Sequence, residues 1–425
     1  MSEPVKKYKI MTLSDHPLMP SGVSHMMRNI INSLIATGRY QVLSLGAFPV
    51  KNEADFPQPH KVNDDWVILP VKEFADMNAI RHYAQGEKID AILMMSDPRF
   101  YGKLLISDNE IRANVPIVYY GIWDNGPKPL FNKRIWESVD VLTACSRLTY
   151  NLAKDLELCT ELHYMPHCID QELFRKLPSA EVNEFKNKFM SNIKDKFIFF
   201  WNNKNGRRKH PSTLLYVFKE FLDIVGHDKA FLLMNSHPGD PDGFDLERVK
   251  TDFGLEKSVG FNIQKVDEKT LSLMYNSVDC VLNIADAEGF GLSNSEALAC
   301  EIPVIANLTG GIVEQITDGI NTFGIGLTPV SRYIIGTPAI NDIMAVPYIF
   351  EDRFANKDLL DAMLKMYNMT KQERNNLGKL GRRHLENNFS MSMWNKFWPE
   401  LFDDVVSRYG SWPNKLHKPY EIIEL

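Results

Sequence analysis

Cysteine is scarce in this sequence: 425 residues carry five, at 145, 159, 168, 280 and 300, with no CxxC pair among them. That argues against a disulfide framework and for reduced, mostly buried thiols in a cytoplasmic setting. Long apolar runs are missing too. No window approaches the about 18 consecutive apolar residues of a bilayer-spanning helix, and the polar opening, Ser2 to Lys9, has no secretory h-region. Excess positive charge is also lacking. Lys and Arg number 48 against 54 Asp and Glu, a net charge of -6, which disfavours a general nucleic-acid coat and leaves only a local basic face open. There is no internal repeat and no low-complexity tract. Residues 388–405 are amphipathic and aromatic but lack the Lys/Arg-rich face of membrane-surface helices. Packing against the protein body is their expected role.

What is present describes a globular α/β protein. Hydrophobic residues make up 44% and charged residues 24%, and the length exceeds one ordinary core, so two domains are expected. Short apolar runs alternate with helical patterns twice over. The first half offers strands at Lys9–Leu13, Gln41–Leu45, Ala91–Met95, Ile117–Tyr120, Val139–Ala144 and Leu162–Met165, with a helix at Val23–Ala36. The second offers Phe197–Trp201, Phe231–Met234, Gly260–Ile263, Cys280–Ile284 and Pro303–Ala306, with helices at Pro211–Val225, Glu268–Asn276 and Leu292–Cys300. Such alternation predicts parallel sheets covered by helices. Asp170–Lys196, charged and weakly periodic, reads as the connection. Gly310–Val346 reads as loop-like, followed by helices at Asp358–Met369, Lys371–Asn388 and Ser390–Tyr409. Two doubly wound domains in tandem are expected to bind ligand in a crevice at their strand C-terminal edges.

The most informative stretch is Glu288-Gly-Phe-Gly-Leu-Ser-Asn-Ser-Glu296, between an apolar strand and a helix. A glycine-flanked turn opening into a helix N-terminus holds anions well. Glu296, one turn into that helix, suits a ribose diol, so the pair reads as a nucleotide-sugar site. A competing reading makes Ser293-Asn-Ser-Glu296 a capping box, which explains Glu296 without a ligand; Glu288 has no such structural account. A second candidate is the basic loop Trp201-Asn-Asn-Lys-Asn-Gly-Arg-Arg-Lys-His-Pro211. It comes after a strand, and Pro211 fits the first position of the next helix. Lys204, Arg208 and Lys209 beside that helix start can cradle a diphosphate, or the loop is simply solvated. Asp240-Pro-Asp242 has a DxD form but sits in a Pro/Gly-rich loop far from the glutamates. His163, His167 and Cys168 match no standard zinc spacing. No metal site is expected from either.

The segment EGFGLSNSEALACEIPVIA with Glu288-x7-Glu296 resembles the donor motif of retaining glycosyltransferases of the GT-B fold, family four, over most of residues 8–400. The resemblance implies two Rossmann-like domains facing across a cleft: an acceptor domain at 1–170, a donor domain at 171–388, and a C-terminal helix and tail at 389–425 returning to the first. It implies that Glu288 lies beside the transferred sugar, that Glu296 binds the ribose, and that the backbone of Gly289, Phe290, Gly291 and Leu292 meets sugar and diphosphate. Family members carry Arg and Lys five positions apart in the basic loop. Here Lys204 and Lys209 have that spacing, and Lys for Arg loses the bidentate fork, with Arg208 available to compensate. Pro20-Ser21-Gly22-Val23 resembles the family's glycine loop, with Gly22 as the contact, against the reading of a plain polar turn.

The family's sugar-contacting histidine is absent from Tyr119-Tyr-Gly-Ile-Trp-Asp124-Asn125. Trp123, Asp124 and Asn125 are therefore candidates for that contact, or the sugar is a pentose lacking the hydroxyl. The implied reaction needs no cofactor: cations neutralise the leaving diphosphate of a nucleoside diphosphate sugar, UDP rather than GDP, and the acceptor hydroxyl attacks from the same face. The stretches TGGIVEQITDGINTFGIGLTPVSR, VPYIFEDR and MYNMTKQERNNLGKLGRR also resemble glycosyltransferases encoded by tailed phages, some of which modify hydroxymethylated DNA bases. A hydroxymethylated pyrimidine receiving arabinose or glucose is thus a candidate acceptor. Arg28, Arg81, Arg99, Lys103, Lys128, Lys133 and Arg134 are the candidate basic rim. Glycan and small-molecule acceptors stand beside it, as does a sugar-nucleotide-binding protein without transfer.

Overall fold

The computed structural model describes residues 7–48, 56–241, 243–339 and 345–409. Its contacts separate two units. The first holds the chain up to His167 with Gly336–Ile349 and the chain from Ser392, and the second holds Cys168–Ile335 and Phe350–Met391.

The first unit is built on eight strands: β1 (Tyr8–Asp15), β2 (Tyr40–Ala47), β3 (His60–Asn63), β4 (Trp66–Val71), β5 (Ala91–Ser96), β6 (Ile117–Gly121), β7 (Val141–Ala144) and β8 (Glu161–Tyr164). Their order is β3-β4-β2-β1-β5-β6-β7-β8. The β3–β4 pair is antiparallel and the others are parallel. β5, β6 and β7 are buried at every residue, as strands of a parallel sheet covered on both faces must be. The helix Gly22–Ile35 starts at Ser21, whose side chain accepts from the Ser24 backbone N–H. It buries Met26, Met27, Ile30, Ile31 and Leu34, spaced to lie on one helical face.

The helix Met391–Tyr409 docks on this unit. Its Trp394 and Trp398 meet the Tyr120 ring edge-on at 5.6 and 5.1 Å, Asn395 takes a 2.6 Å hydrogen bond from Ser33, and Arg408 pairs with Glu161 at 2.6 Å. The aromatic stripe is thus spent on the protein interior. Among the described residues no helix is long and apolar enough to cross a membrane.

The second unit has six parallel strands: β9 (Phe197–Asn202), β10 (Ala230–Asn235), β11 (Val259–Asn262), β12 (Cys280–Asn283), β13 (Val304–Asn307) and β14 (Ile325–Leu327), ordered β11-β10-β9-β12-β13-β14. β9 through β13 each end on an asparagine, at the C-terminal edge where open parallel sheets bind ligands. The helix Pro211–Val225 begins with its proline and buries Leu214, Leu215, Val217, Phe218, Phe221 and Leu222. The helix Lys371–Asn388 starts in a capping box of Thr370 and Glu373.

Two of the assigned stretches differ from expectation, and β3 and β4 fall where the sequence predicts no strand. The connection at Asp170–Lys196 contains a helix, Ser179–Phe189, none of whose residues is fully buried; without a buried face it has little apolar period to read. The loop-like Gly310–Val346 holds β14 and the first strand of a two-stranded sheet, β15 (Ser331–Thr337), paired with β16 (Val346–Arg353). β15 faces water along nearly its whole length, so alternation of apolar and polar residues is absent from it. Gly336–Ile349 also groups with the first unit, which interrupts the expected run of 171–388.

Candidate active site

From Cys280 to Cys300 every residue is buried except three: Glu288, Leu292 and Glu296. Their spacing of four puts them on one side of the turn and of the helix Leu292–Ala299, so the strand-turn-helix unit shows solvent one narrow face carrying two carboxylates. Gly291 caps the helix at φ +97°, a left-handed conformation, and a Cβ there would meet Ile312 Cγ1 at 3.0 Å. No side chain caps this helix, so its first backbone N–H groups remain available as anion donors. Phe290 turns its ring inward against Phe389, 5.6 Å between centroids, and only its backbone belongs to the turn's surface. Gln315 locks the turn from beneath: its amide donates to the Phe290 carbonyl at 2.5 Å and accepts from Ser295 at 2.7 Å.

The basic loop reaches the same carboxylate. Residues Arg207–Lys209 form a single tight turn after β9, and both the Lys209 ammonium and the Arg208 guanidinium donate to Glu288 Oε2, Arg208 at 2.8 Å. Arg208 also donates to the Ala287 carbonyl, and its own carbonyl accepts from the Asp286 N–H at 2.9 Å. Burial works against a charged Glu288, but attraction to Lys209 and Arg208 outweighs it and holds the carboxyl at about 2. Two cations against one carboxylate leave the turn net positive.

Lys204 does not join them. Its side chain is 62% exposed, with Asp240 Oδ1 3.8 Å away. The cation pair converging on Glu288 is adjacent, Arg208 and Lys209, rather than five positions apart. The loop coils between Lys204 and Arg208, and Asn205 is drawn under it by hydrogen bonds to the carbonyls of Phe244 and Pro238 at 2.7 and 3.2 Å. Asp242, the second half of the DxD form, lies outside the described residues. Among the described residues no group of three or more His, Cys, Asp or Glu side chains is placed to hold a metal ion.

Glu296 is not part of a capping box. The helix begins before Ser293, with Gly291 as its cap, so the serine lies inside the first turn. Glu296 instead accepts from the buried Tyr275 hydroxyl at 2.6 Å.

An ionic cluster behind the site has no counterpart among the sequence expectations. Glu351 of β16 pairs with Arg207, and with Arg353 at 2.6 Å. Asp286, fully buried, lies 2.5 Å from His210 Nε2 and 3.1 Å from Arg353. Burial is the stronger influence on Asp286 and raises its carboxyl above the ordinary range despite the neighbouring His210 and Arg353. His210 itself sits at φ +55°, a conformation unfavourable for a non-glycine residue. The turn carrying Arg208 and Lys209 is therefore gripped on both flanks, by Glu351 at Arg207 and by Asp286 at His210. The only trace of this in the sequence is the acidic-basic run Glu351-Asp352-Arg353.

In the first unit, Gly22 is exposed at the start of the helix Gly22–Ile35. Trp123, a candidate for the sugar contact, is instead a core residue: it is buried against Phe131, 5.6 Å between rings. Apolar surroundings claim its ring, and its carbonyl accepts from Thr149 at 3.1 Å. Asn125 is buried as well, its Oδ1 accepting from the Gly126 N–H at 2.8 Å, whereas Asp124 is partly exposed. His163 and His167 have separate partners, Glu161 at 2.6 Å and the Tyr120 hydroxyl at 2.6 Å. Most of the candidate rim is locally engaged. Arg81, Arg99, Lys103 and Lys133 pair with Glu110, Asp97, Glu73 and Glu137, while Arg28 and Lys128 donate to backbone carbonyls.

Residues 182–327, which contain the basic turn and both glutamates, match the family model described as glycosyl transferases group 1. Among curated proteins the chain is similar to a GDP-mannose-dependent alpha-(1-6)-phosphatidylinositol monomannoside mannosyltransferase of Mycolicibacterium smegmatis, 26% identical over 223 residues, 51% of this chain and 56% of that protein. It is also similar to a D-inositol 3-phosphate glycosyltransferase of Corynebacterium jeikeium, 29% identical over 116 residues, 27% of each. The matched stretches thus span about half and about a quarter of those relatives. Among solved structures, sucrose-phosphate synthase from Thermosynechococcus elongatus superposes with a TM-score of 0.75 at 16% identity, covering 95% of this chain and 100% of that one. Anabaena HepE, solved with UDP and glucose, gives 0.69 at 15% identity, covering 93% and 100%. The fold is GT-B, with two Rossmann-like domains, and residues 182–327 of the second unit are similar to group 1 glycosyl transferases.

Proposed function

We propose that this protein moves a sugar from a nucleoside diphosphate sugar to an acceptor hydroxyl with retention of configuration at the anomeric carbon. The observation that carries this reading is the convergence of Arg208 and Lys209 on Glu288 at the mouth of a helix with no side-chain cap. Charge builds up on the leaving diphosphate in the transition state, and fixed cations with helix N–H groups are what stabilise it. Lys209, mostly buried, and Arg208 supply the charge, and the backbone from Gly289 to Leu292 supplies donors. Glu288 orients the sugar, and Glu296 accepts from the ribose hydroxyls. The acceptor hydroxyl enters beside the leaving phosphate, which takes its proton, so no dedicated side-chain base is required. Lys204, apart from this cluster, contributes long-range charge only.

UDP is the proposed nucleotide, with GDP as the competitor that the mannosyltransferase relative brings in. For the acceptor, a hydroxymethylated pyrimidine in DNA rests on the resemblance of the 309–332, 346–353 and 366–383 stretches to phage enzymes. The local pairing of the candidate rim favours a glycan or small-molecule acceptor, because cations already matched with carboxylates release few counterions on DNA. One experiment addresses donor and acceptor together. The protein is incubated with UDP- and GDP-linked hexoses and pentoses, with and without hydroxymethylated DNA. Released nucleotide is measured, together with product mass and anomeric configuration. Nucleotide release from one donor and a retained anomer support the reading. No release from any donor, or an inverted product, overturns it.

A further inference from the structure

The asparagines that end β9, β10 and β11 form a continuous chain of hydrogen bonds along the sheet's C-terminal edge. The strand register aligns Asn202 with Asn235 and Asn235 with Asn262. Asn262 Nδ2 donates to the Gln264 carbonyl at 3.1 Å and to Asn235 Oδ1 at 2.7 Å. Asn235 Nδ2 donates to Asn202 Oδ1 at 2.8 Å, and Asn202 Nδ2 to the Tyr275 hydroxyl oxygen at 2.8 Å. The Tyr275 hydroxyl then donates to Glu296 Oε2 at 2.6 Å.

This chain has a direction. A backbone carbonyl only accepts, so the Gln264 oxygen obliges Asn262 to present its NH2 group there. That amide's other N–H meets Asn235, whose NH2 must then face Asn202, whose NH2 must face Tyr275. A tyrosine hydroxyl has one proton to give. With its oxygen already accepting from Asn202, that proton goes to Glu296. The carboxylate thereby takes a hydrogen bond on Oε2, which favours the acceptor form that recognises hydroxyl groups. Chains of this kind polarise one another along their length.

We infer that Asn262, Asn235, Asn202 and Tyr275 are a positioning relay that fixes Glu296 as acceptor for the ribose hydroxyls, and so sets the site's preference for ribonucleotides over 2′-deoxyribonucleotides. The inference rests on the donor reading above. The preference comes from the acceptor geometry: a nucleotide lacking the 2′-hydroxyl forfeits a hydrogen bond to a charged group.

The test measures binding of UDP and 2′-deoxy-UDP, and of GDP and 2′-deoxy-GDP, by calorimetry in the full chain. The wild type is expected to favour the ribonucleotide by about tenfold or more. Asn202→Asp replaces the donor facing Tyr275 by an acceptor, so the hydroxyl proton turns away from Glu296. Asn235→Asp reverses the relay one step further out, because Asn202 must then turn its NH2 outward and its carbonyl toward Tyr275. Tyr275→Phe removes the last link. In each variant the ratio of the two affinities is expected to fall to about threefold or less. Because the added charge acts on both nucleotides alike, the ratio isolates orientation from overall electrostatics and folding. An unchanged ratio in Asn202→Asp or Asn235→Asp overturns the relay and leaves the donor reading intact. A wild type that binds neither UDP nor GDP overturns the donor reading, and the relay's role with it.

Discussion

Lys209 donates directly to Glu288 across 79 residues of sequence, joining the turn after β9 to the turn after β12. In the proposed reaction the same ammonium neutralises the leaving diphosphate while it holds the carboxylate proposed to orient the sugar. Lys209→Ala is therefore expected to lower the turnover rate of transfer by about a hundred- to a thousandfold, the scale set by loss of one preorganised transition-state donor. Glu296→Ala is expected to act mainly on donor KM. Steady-state kinetics of the two variants side by side check this split, and equal effects on turnover and KM in both would contradict the assignment.

Glu288 also makes the site sensitive to acid. Its folded pKa of about 2 lies below its ordinary value of 4.5. A carboxyl depressed on folding contributes stability that is present above the unfolded pKa and lost as pH falls through the folded one. The contribution should therefore decline between about pH 4.5 and pH 2. Urea denaturation as a function of pH is expected to show a shallower decline in Glu288→Gln across that window. A wild-type slope retained in the variant would place the titration elsewhere.

The grip on the basic turn can be loosened from behind. Glu351 is buried and faces two guanidinium groups, Arg207 and Arg353. Glu351→Gln leaves those cations against a neutral amide and is expected to cost about 1–3 kcal/mol of stability, read from the urea midpoint. Because Arg207 directly precedes Arg208 and Lys209, donor turnover should also fall. Unaltered turnover would mean that the turn holds its shape without this anchor.

Gly311 tests the backbone of the proposed donor turn. A Cβ on it would come within 2.3 Å of the Gly289 carbonyl oxygen, too close for any real contact, and both partners are backbone. Gly311→Ala should push the Gly289–Phe290 segment outward and weaken nucleotide binding by about tenfold or more. Calorimetry with UDP or GDP measures the loss. Gly319→Ala, where no neighbour lies within 4 Å but φ is +90°, is the comparison that separates backbone strain from contact.

Much of the architecture is legible in the sequence because strands buried on both faces leave uninterrupted apolar runs. The apolar runs at β1, β5, β6, β9 and β12 lie within two residues of the observed strand ends. Elements with one wet face or little burial leave no such trace. β4 contains Pro70, β15 points mostly to water, and the helix Ser179–Phe189 buries nothing fully. Trp123 differs for another reason. It is a candidate because its stretch lacks the histidine that the resemblance leads one to expect, and only the folded chain shows its ring buried against Phe131.

The sequence by itself determined the chemistry on offer: two carboxylates flanking a glycine turn, cations in a loop after an apolar strand, and a motif that resembles a donor site. These are local properties, set by residue type and short spacing. Only the tertiary structure decided which groups meet. It chose Arg208 and Lys209 over Lys204, set Glu296 at the end of an asparagine–tyrosine hydrogen-bond chain rather than in a capping box, and set Glu351 behind the basic turn from 144 residues away. Those choices depend on strand order and register, which bring together residues distant in sequence. Side-chain hydrogen bonds act over about 3 Å, and only the folded sheet fixes distances on that scale.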